Sequence, residues 1–221
     1  MQATILAERP AAGDALARHR LDAMRARPRR PGEAGFFFYE AQLRIHAVRV
    51  LPGEYYVSSD EIAIMTTLGS CIAACLWDRQ AGVGGMNHFL LPDGGAGGSG
   101  RYGSYAMELL INELMKQGAT RAGLEAKVFG GGQVISGMNT LNIGERNASF
   151  VIDYLKAERI PILVKDVLGA HPRKVCFLPA SGKAMVKRLA SARPDELVAQ
   201  ERRAAEAATA EAAGCGSIDL F

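Results

Sequence analysis

Residues 66–92 read TTLGSCIAACLWDRQAGVGGMNHFLLP, and the fold turns on how this stretch pairs with itself. Two strand-like runs, 71–77 and 83–91, flank Asp78-Arg79-Gln80-Ala81-Gly82, which has the composition of a turn. With Arg79-Gln80 at the tip, Asp78 faces Ala81, and antiparallel pairing carries Cys71 opposite His88. Their side chains then share one face, with Cβ atoms about 4.5–5.5 Å apart. A loop one residue longer or shorter turns His88 to the other face unless a bulge restores it. Gly84 and Gly85 are where such a bulge would sit.

A cysteine beside a histidine has a chemical use. A thiol of pKa about 8.5 is only slightly ionised at neutral pH, and an adjacent imidazole can take its proton. The preceding Leu68-Gly69-Ser70 can form a tight turn that exposes the sulfur. Backbone N–H groups at Gly69 and Ser70 would then support an oxyanion formed by attack on an amide carbonyl. Taken singly, a strand cysteine is more often inert core and a strand histidine a satisfied polar residue. The joint placement brings the catalytic reading forward.

Cys71, Cys75 and His88 are also metal-ligand types. Residues four apart on a strand are separated by about 13 Å, however, and zinc needs both sulfurs about 2.3 Å from one ion. No metal and no cofactor are expected. Cys75 reads as core, Cys176 as strand filler and Cys215 as tail.

Working outward, strand-like segments at 62–67, 124–129, 160–167, 174–178 and 184–189 alternate with two helical patterns. The first helix is expected over about 104–117, with Ser104 as N-cap and Gly118 just past its end. The second is expected over 145–157, with Phe150, Val151, Tyr154 and Leu155 as its apolar stripe. IHAVRVLPGEYYV from Ile45 alternates as a strand, and LPASGKAM reads as a hairpin turning at Ser181-Gly182. The expected class is α/β, a layered α/β sandwich with a mixed, largely antiparallel sheet and a catalytic hairpin.

The 221 residues suffice for one domain with loose ends. Residues 1–40 are rich in Ala, Arg and Pro and read as a basic extension with little fixed structure, with a marginal helix at 11–26 and order beginning near Phe36. Residues 41–192 form the domain, and 193–221 an Ala/Glu/Arg-rich tail. Apolar residues at 48% and charged residues at 22% are ordinary globular values. A net charge of +3 is too small to argue for nucleic acid. No stretch approaches a membrane span, and no secretory signal opens the chain, so a cytoplasmic location with reduced thiols is expected. The glycine-rich DGGAGGSGRYG at 93–103 reads as a mobile rim or a linker. FGGGQV lacks the GK[ST] of a phosphate loop, which argues against nucleotide binding.

Six blocks in order resemble the CheD chemoreceptor glutamine deamidases of bacterial and archaeal chemotaxis. They are LPGEYYV at 51–57, LGSC at 68–71, NHFLLP at 87–92, KVFGGG at 127–132, MNTLNIGERN at 138–147 and DVLGAHPRKV at 166–175. Leu168-Gly169 stands where the family tends to carry Gly-Gly, a departure that touches no expected catalytic residue. The resemblance implies that Cys71 is the nucleophile, His88 the base and a preceding threonine the third member. Thr66 and Thr67 both precede LGSC, and Thr66 is favoured. It implies conversion of glutamine to glutamate on the cytoplasmic helices of chemoreceptors, with a CheC-type phosphatase as a second partner. Two other readings stand beside it: a non-catalytic adaptor that regulates such a phosphatase, and a transglutaminase that shares the thioester but not the acceptor.

Overall fold

The computed structural model describes residues 12–91, 96–133 and 143–190, together with Ala199, Arg203 and Glu206. In chain order these form α1 (Ala12–Ala26), β1 (Phe36–Glu40), β2 (Ile45–Arg49), β3 (Tyr55–Ser58), β4 (Ala63–Leu68), β5 (Ile72–Asp78) and β6 (Val83–Asn87). There follow α2 (Ala96–Lys116), β7 (Leu124–Gly130), α3 (Ile143–Ala157), β8 (Ile162–Val167), β9 (Arg173–Leu178) and β10 (Lys183–Arg188).

The strands make two sheets, ordered β1-β2-β4-β9-β10 and β3-β6-β5-β7-β8. Both are mixed: β2–β4 and β7–β8 run parallel, and the remaining pairs run antiparallel. The layered α/β expectation holds, with a second sheet as a third layer. That sheet escaped the sequence reading because the alternation after Ile45 is shared by β2 and β3, which the turn at Leu51-Pro52-Gly53 sends to different sheets.

Alternation along β5 divides the core. Ile72, Ala74 and Leu76 face α2 and α3, where they meet Met107, Leu110, Ile111, Val151 and Leu155. Cys71, Ala73 and Cys75 face the other sheet, among Val48, Ile64, Leu68, Val175 and Phe177. The interior therefore has an apolar layer on each face of the second sheet.

α2 begins at Ala96, well before the expected 104, so Ser104 lies inside the helix and caps nothing. Its glycine-rich first half is the backbone of that helix rather than a linker or rim; residues 92–95 lie outside the described residues. Packing outweighs propensity here. A Cβ on Gly103 would come within 2.4 Å of the Phe150 ring, so the missing side chain lets α2 approach α3. α3 starts at Ile143 and buries Ala148, Val151 and Leu155 as its period requires.

At the N-terminal end, β1 is the edge strand of the first sheet and α1 packs beside it, with Leu21 and Met24 against the inter-sheet core. Arg30 forms an ion pair with buried Glu113 on α2, tying the segment between α1 and β1 to the domain. The β9–β10 turn falls at Ser181-Gly182 as expected, with Gly182 at φ 66°.

The β5–β6 hairpin closes with Asp78 opposite Val83, not Ala81. Gly82, at φ 64°, donates its N–H to the Asp78 carbonyl. The Asp78 carboxylate accepts from the backbone N–H groups of Gln80, Ala81 and Thr120. Those donors, Thr120 first, outweigh burial and hold the carboxyl below the usual carboxylate range.

A carboxyl lowered in the folded state contributes stability above its unfolded pKa, and that contribution is lost as pH falls through the folded value. Asp78→Ala should cost about 1.5–3 kcal/mol at pH 7 by removing the charged acceptor shared by these part-buried backbone donors. Urea unfolding of both chains at pH 7 and near pH 3 checks this: the gap should narrow at the acid end, and an equal gap at both would be the wrong outcome.

Candidate functional site

The displacement of the hairpin register by two residues keeps every side chain on its expected face. Ile72 pairs with Phe89, which places His88 opposite Ala73 and Cys71 opposite Leu90. Cys71 and His88 are therefore diagonal rather than direct neighbours, a Cβ separation of about 7–8 Å that a ring can span. Both face the layer between the sheets.

The ladder is interrupted between these points. Ala74 donates its N–H to the side-chain Oδ1 of Asn87 at 3.1 Å, while Asn87 Nδ2 donates to the Ala106 carbonyl on α2 at 3.0 Å. The amide of Asn87 thus stands between β5 and β6 immediately before His88. The histidine backbone is taken up on its other side, its N–H donating to Glu54 O and its carbonyl accepting from Gly53 N.

His88 is 2% exposed, and its ring meets the first sheet. Thr66 Oγ1 lies 2.9 Å from His88 Nδ1 and 2.8 Å from the Val50 carbonyl; Nδ1 also lies 3.4 Å from that carbonyl. A hydroxyl has one proton, and the carbonyl can only accept, so Thr66 donates to Val50 and accepts from Nδ1–H. The ring is then the tautomer with its lone pair on Nε2, a buried atom with no hydrogen-bond partner among the described residues. Burial holds the imidazole down to about 4, against the smaller upward pull of the Val50 carbonyl, so the ring is neutral at neutral pH.

Thr66 is the inward member of the threonine pair. It is 3% exposed on β4 opposite Val175, whereas Thr67 points to the other side of the sheet and is partly exposed. The period of a strand separates them, and only Thr66 reaches the histidine.

Gly69, Ser70 and Cys71 form the step by which the chain leaves β4 in one sheet and enters β5 in the other. The carbonyls of that step are all held. Gly69 O accepts from Gly132 N, Ser70 O from Asn147 Nδ2, and Cys71 O from Gly131 N. Because each peptide is planar and trans, the following N–H groups are directed the opposite way.

The glycine run after β7 makes this possible. Gly130 and Gly131 have φ of 113° and 65°, and a Cβ on Gly130 would lie 2.1 Å from the Cys71 carbonyl oxygen. Three consecutive glycines at a strand end are the signal in the sequence of this close backbone approach.

One expectation fails. The Leu68-Gly69-Ser70 turn does not expose the sulfur: Cys71 is 0% exposed and belongs to the inter-sheet core with Leu68, Leu90 and Phe129. The carbonyl contacts just described draw the turn inward. Cys75 and Cys176 are buried as well, and burial pushes the Cys75 thiol far up and that of Cys176 to about 11. Cys215 and residues 134–142 lie outside the described residues. Among the described residues no group of three His, Cys, Asp or Glu side chains is placed to hold a metal ion. None of the described helices is long and apolar enough to cross a membrane.

Comparison with known proteins bears on what this arrangement serves. Residues 90–188 match the family described as CheD chemotactic sensory transduction. A probable chemoreceptor glutamine deamidase CheD 1 from Albidiferax ferrireducens is 56% identical over 95% of this chain and 89% of its own length. A protein of the same printed name from Dechloromonas aromatica is 51% identical over 74% of this chain and 84% of its own. A probable chemoreceptor glutamine deamidase CheD from Thiobacillus denitrificans is 48% identical over 83% and 94%. Identity of this extent, across both the family-matched segment and the Cys71–His88 hairpin before it, shows that the chain belongs to the CheD family.

Proposed function

We propose that this chain is a cytoplasmic protein-glutamine deamidase that converts glutamine side chains on chemoreceptors to glutamate, with Cys71 as nucleophile, His88 as base and Thr66 as the residue that orients the base. The observation that carries this reading is the Thr66–His88 hydrogen bond. It consumes the Nδ1 proton and leaves the Nε2 lone pair on the face that Cys71 shares. The relatives named above, each a probable chemoreceptor glutamine deamidase by name, supply the substrate class.

In the proposed sequence His88 Nε2 takes the Cys71 proton, and the thiolate attacks the side-chain carbonyl of the glutamine. The oxyanion is received at the Gly69-Ser70 step, whose carbonyls are turned away from it. The imidazolium returns its proton to the departing nitrogen as ammonia is released. Water then hydrolyses the thioester, assisted by the same ring, leaving glutamate and free thiol. No cofactor enters any step. Since Cys71 is sealed in the apolar layer, receptor binding must open the site before attack.

That sealed sulfur is also the observation that favours a second reading, in which the chain acts by contact alone on a CheC-type phosphatase. The two readings part at one substitution. Cys71→Ala should abolish ammonia release and the amide-to-acid mass change in a co-expressed receptor, and His88→Gln should lower the rate by about 10²–10⁴-fold. Undiminished conversion by Cys71→Ala would remove the enzymatic reading; a wild-type chain without conversion that still binds the phosphatase would favour the second.

Thr66→Val keeps the shape of the side chain and removes the hydroxyl. It should lower kcat by about tenfold to a hundredfold, less than loss of the base itself, while Thr66→Ser restores most of it. Equal rates for the valine and wild-type chains would dissociate Thr66 from the reaction. For a base held neutral down to about 4, activity should be insensitive to pH through the range where an ordinary histidine titrates and fall only below about pH 5. A profile of ammonia release against pH, with an acid limb centred near 6.5, would show instead that the ring is hydrated in the working enzyme.

A further inference from the structure

Asn147 belongs to neither strand of the reactive hairpin. It lies on α3 with its side chain fully buried, in a block of sequence to which the proposed chemistry gives no task. Its amide makes two hydrogen bonds: Nδ2 donates to the Ser70 carbonyl at 2.9 Å, and Oδ1 accepts from the Leu91 N–H at 3.0 Å. Ser70 immediately precedes Cys71, and Leu91 lies three residues beyond His88. A single side chain therefore ties together the ends of the two segments that carry the reactive pair.

The surrounding ladder makes this tie consequential. Regular pairing between β5 and β6 stops at Cys75 and Met86, where the Asn87 amide intervenes. Beyond it the backbone pairing that remains is the bridge between Ile72 and Phe89. His88 lies between the Asn87 interruption and that bridge. Cys71 lies between the bridge and the Asn147 clamp. The other backbone contacts of Cys71 and His88 run to Gly131 and to Glu54 and Gly53, so the clamp is the side-chain contact that joins the two segments directly to each other beside that bridge.

We infer that Asn147 is a positioning residue for the deamidation step, holding Cys71 at the working distance from His88 by clamping Ser70 to Leu91. The inference rests on the deamidase reading above. The orientation of the amide follows from its partners, because a peptide N–H only donates and a carbonyl only accepts. An amide of this length meets both requirements. Aspartate would keep the bond to Leu91 and turn an acceptor oxygen toward the Ser70 carbonyl; serine would lose both contacts while crowding nothing.

The test uses the full-length chain with purified receptor, measuring ammonia release at temperatures well below each variant's thermal midpoint. Asn147→Asp and Asn147→Ser should lower kcat by about tenfold to a hundredfold, the scale of a misplacement of about 1 Å, with KM changed less than about twofold. Val151→Ala, one turn along the same helix in the apolar cluster against the other sheet face, supplies the comparison: it lowers the midpoint and should leave kcat intact. A second readout is the pH dependence of Cys71 alkylation, followed by peptide mass spectrometry, which should differ between wild type and the Asn147 variants but not for Val151→Ala.

Folded Asn147 variants with wild-type kcat would overturn the inference, as would a loss of kcat in Val151→Ala that follows its midpoint equally. Should the aspartate variant not fold, the serine variant decides. A wild-type chain that releases no ammonia would end the deamidase reading instead, and the alkylation profile would still judge the clamp: altered by Asn147→Asp it stands, unaltered it falls.

Discussion

The hydrogen bond between Thr66 and His88 is the constraint on which the site depends. It crosses the layer between two sheets, so it exists only if both sheets are correctly registered and correctly stacked. Both groups are buried, and leaving either unpaired would cost about 1–3 kcal/mol. The carbonyl of Val50 fixes the direction of the bond by claiming the hydroxyl proton. From that follow the tautomer, the free lone pair on Nε2 and the capacity of the ring to accept a proton. The same burial holds the ring neutral. Tautomer and charge state are thus set by fold, with no acidic partner needed to orient the imidazole.

Around that bond the backbone is arranged with unusual economy of side chains. The step from β4 to β5 changes sheets in three residues, Gly69, Ser70 and Cys71, and so cannot continue either ladder. Its carbonyls are satisfied by Gly131 and Gly132 at the end of β7 and by Asn147 of α3. Gly144 at the start of α3 packs in turn on Gly131, where a Cβ would lie 2.4 Å from the carbonyl oxygen. Cys71 is thereby held by main-chain contacts from the end of β7 and by a side-chain contact from α3, both far away in sequence. These contacts also explain why the turn folds inward and buries the sulfur that its composition suggested it would expose.

How much of this was legible follows from the range of each interaction. Strand positions, the β9–β10 turn and α3 rest on local periodicity, and the sequence carries them to within a few residues. The Cys71–His88 hairpin was legible in its face but not in its register. Asp78 pairs with Val83 because its carboxylate caps Gln80 and Ala81 and needs a longer loop than Arg79-Gln80 alone. The error was two residues, and a period of two forgives it. Thr66 was separable from Thr67 once strand alternation was combined with the place of the core. The start of α2 was not legible, since glycines that disfavour helix locally are there for the contact of Gly103 with Phe150. The partition into two sheets and the partners of Asn147 and Asn87 are long-range facts. An asparagine's amide can satisfy a turn, a helix end or a broken ladder, and spacing alone does not say which.

Burial of Cys71 and His88 imposes one more condition on the proposed chemistry. A thiolate and an imidazolium formed inside the apolar layer would be an ion pair without water, and its desolvation cost opposes its formation. The same burial favours the neutral ring. The ring therefore rests neutral, and the sulfur beside it is closed off from solvent. Charge separation becomes favourable only when something polar enters: the amide that is attacked, and the N–H groups that receive its oxygen. On this account the substrate does more than occupy the site. In the proposed mechanism, opening the apolar layer is what first admits a glutamine amide to Cys71.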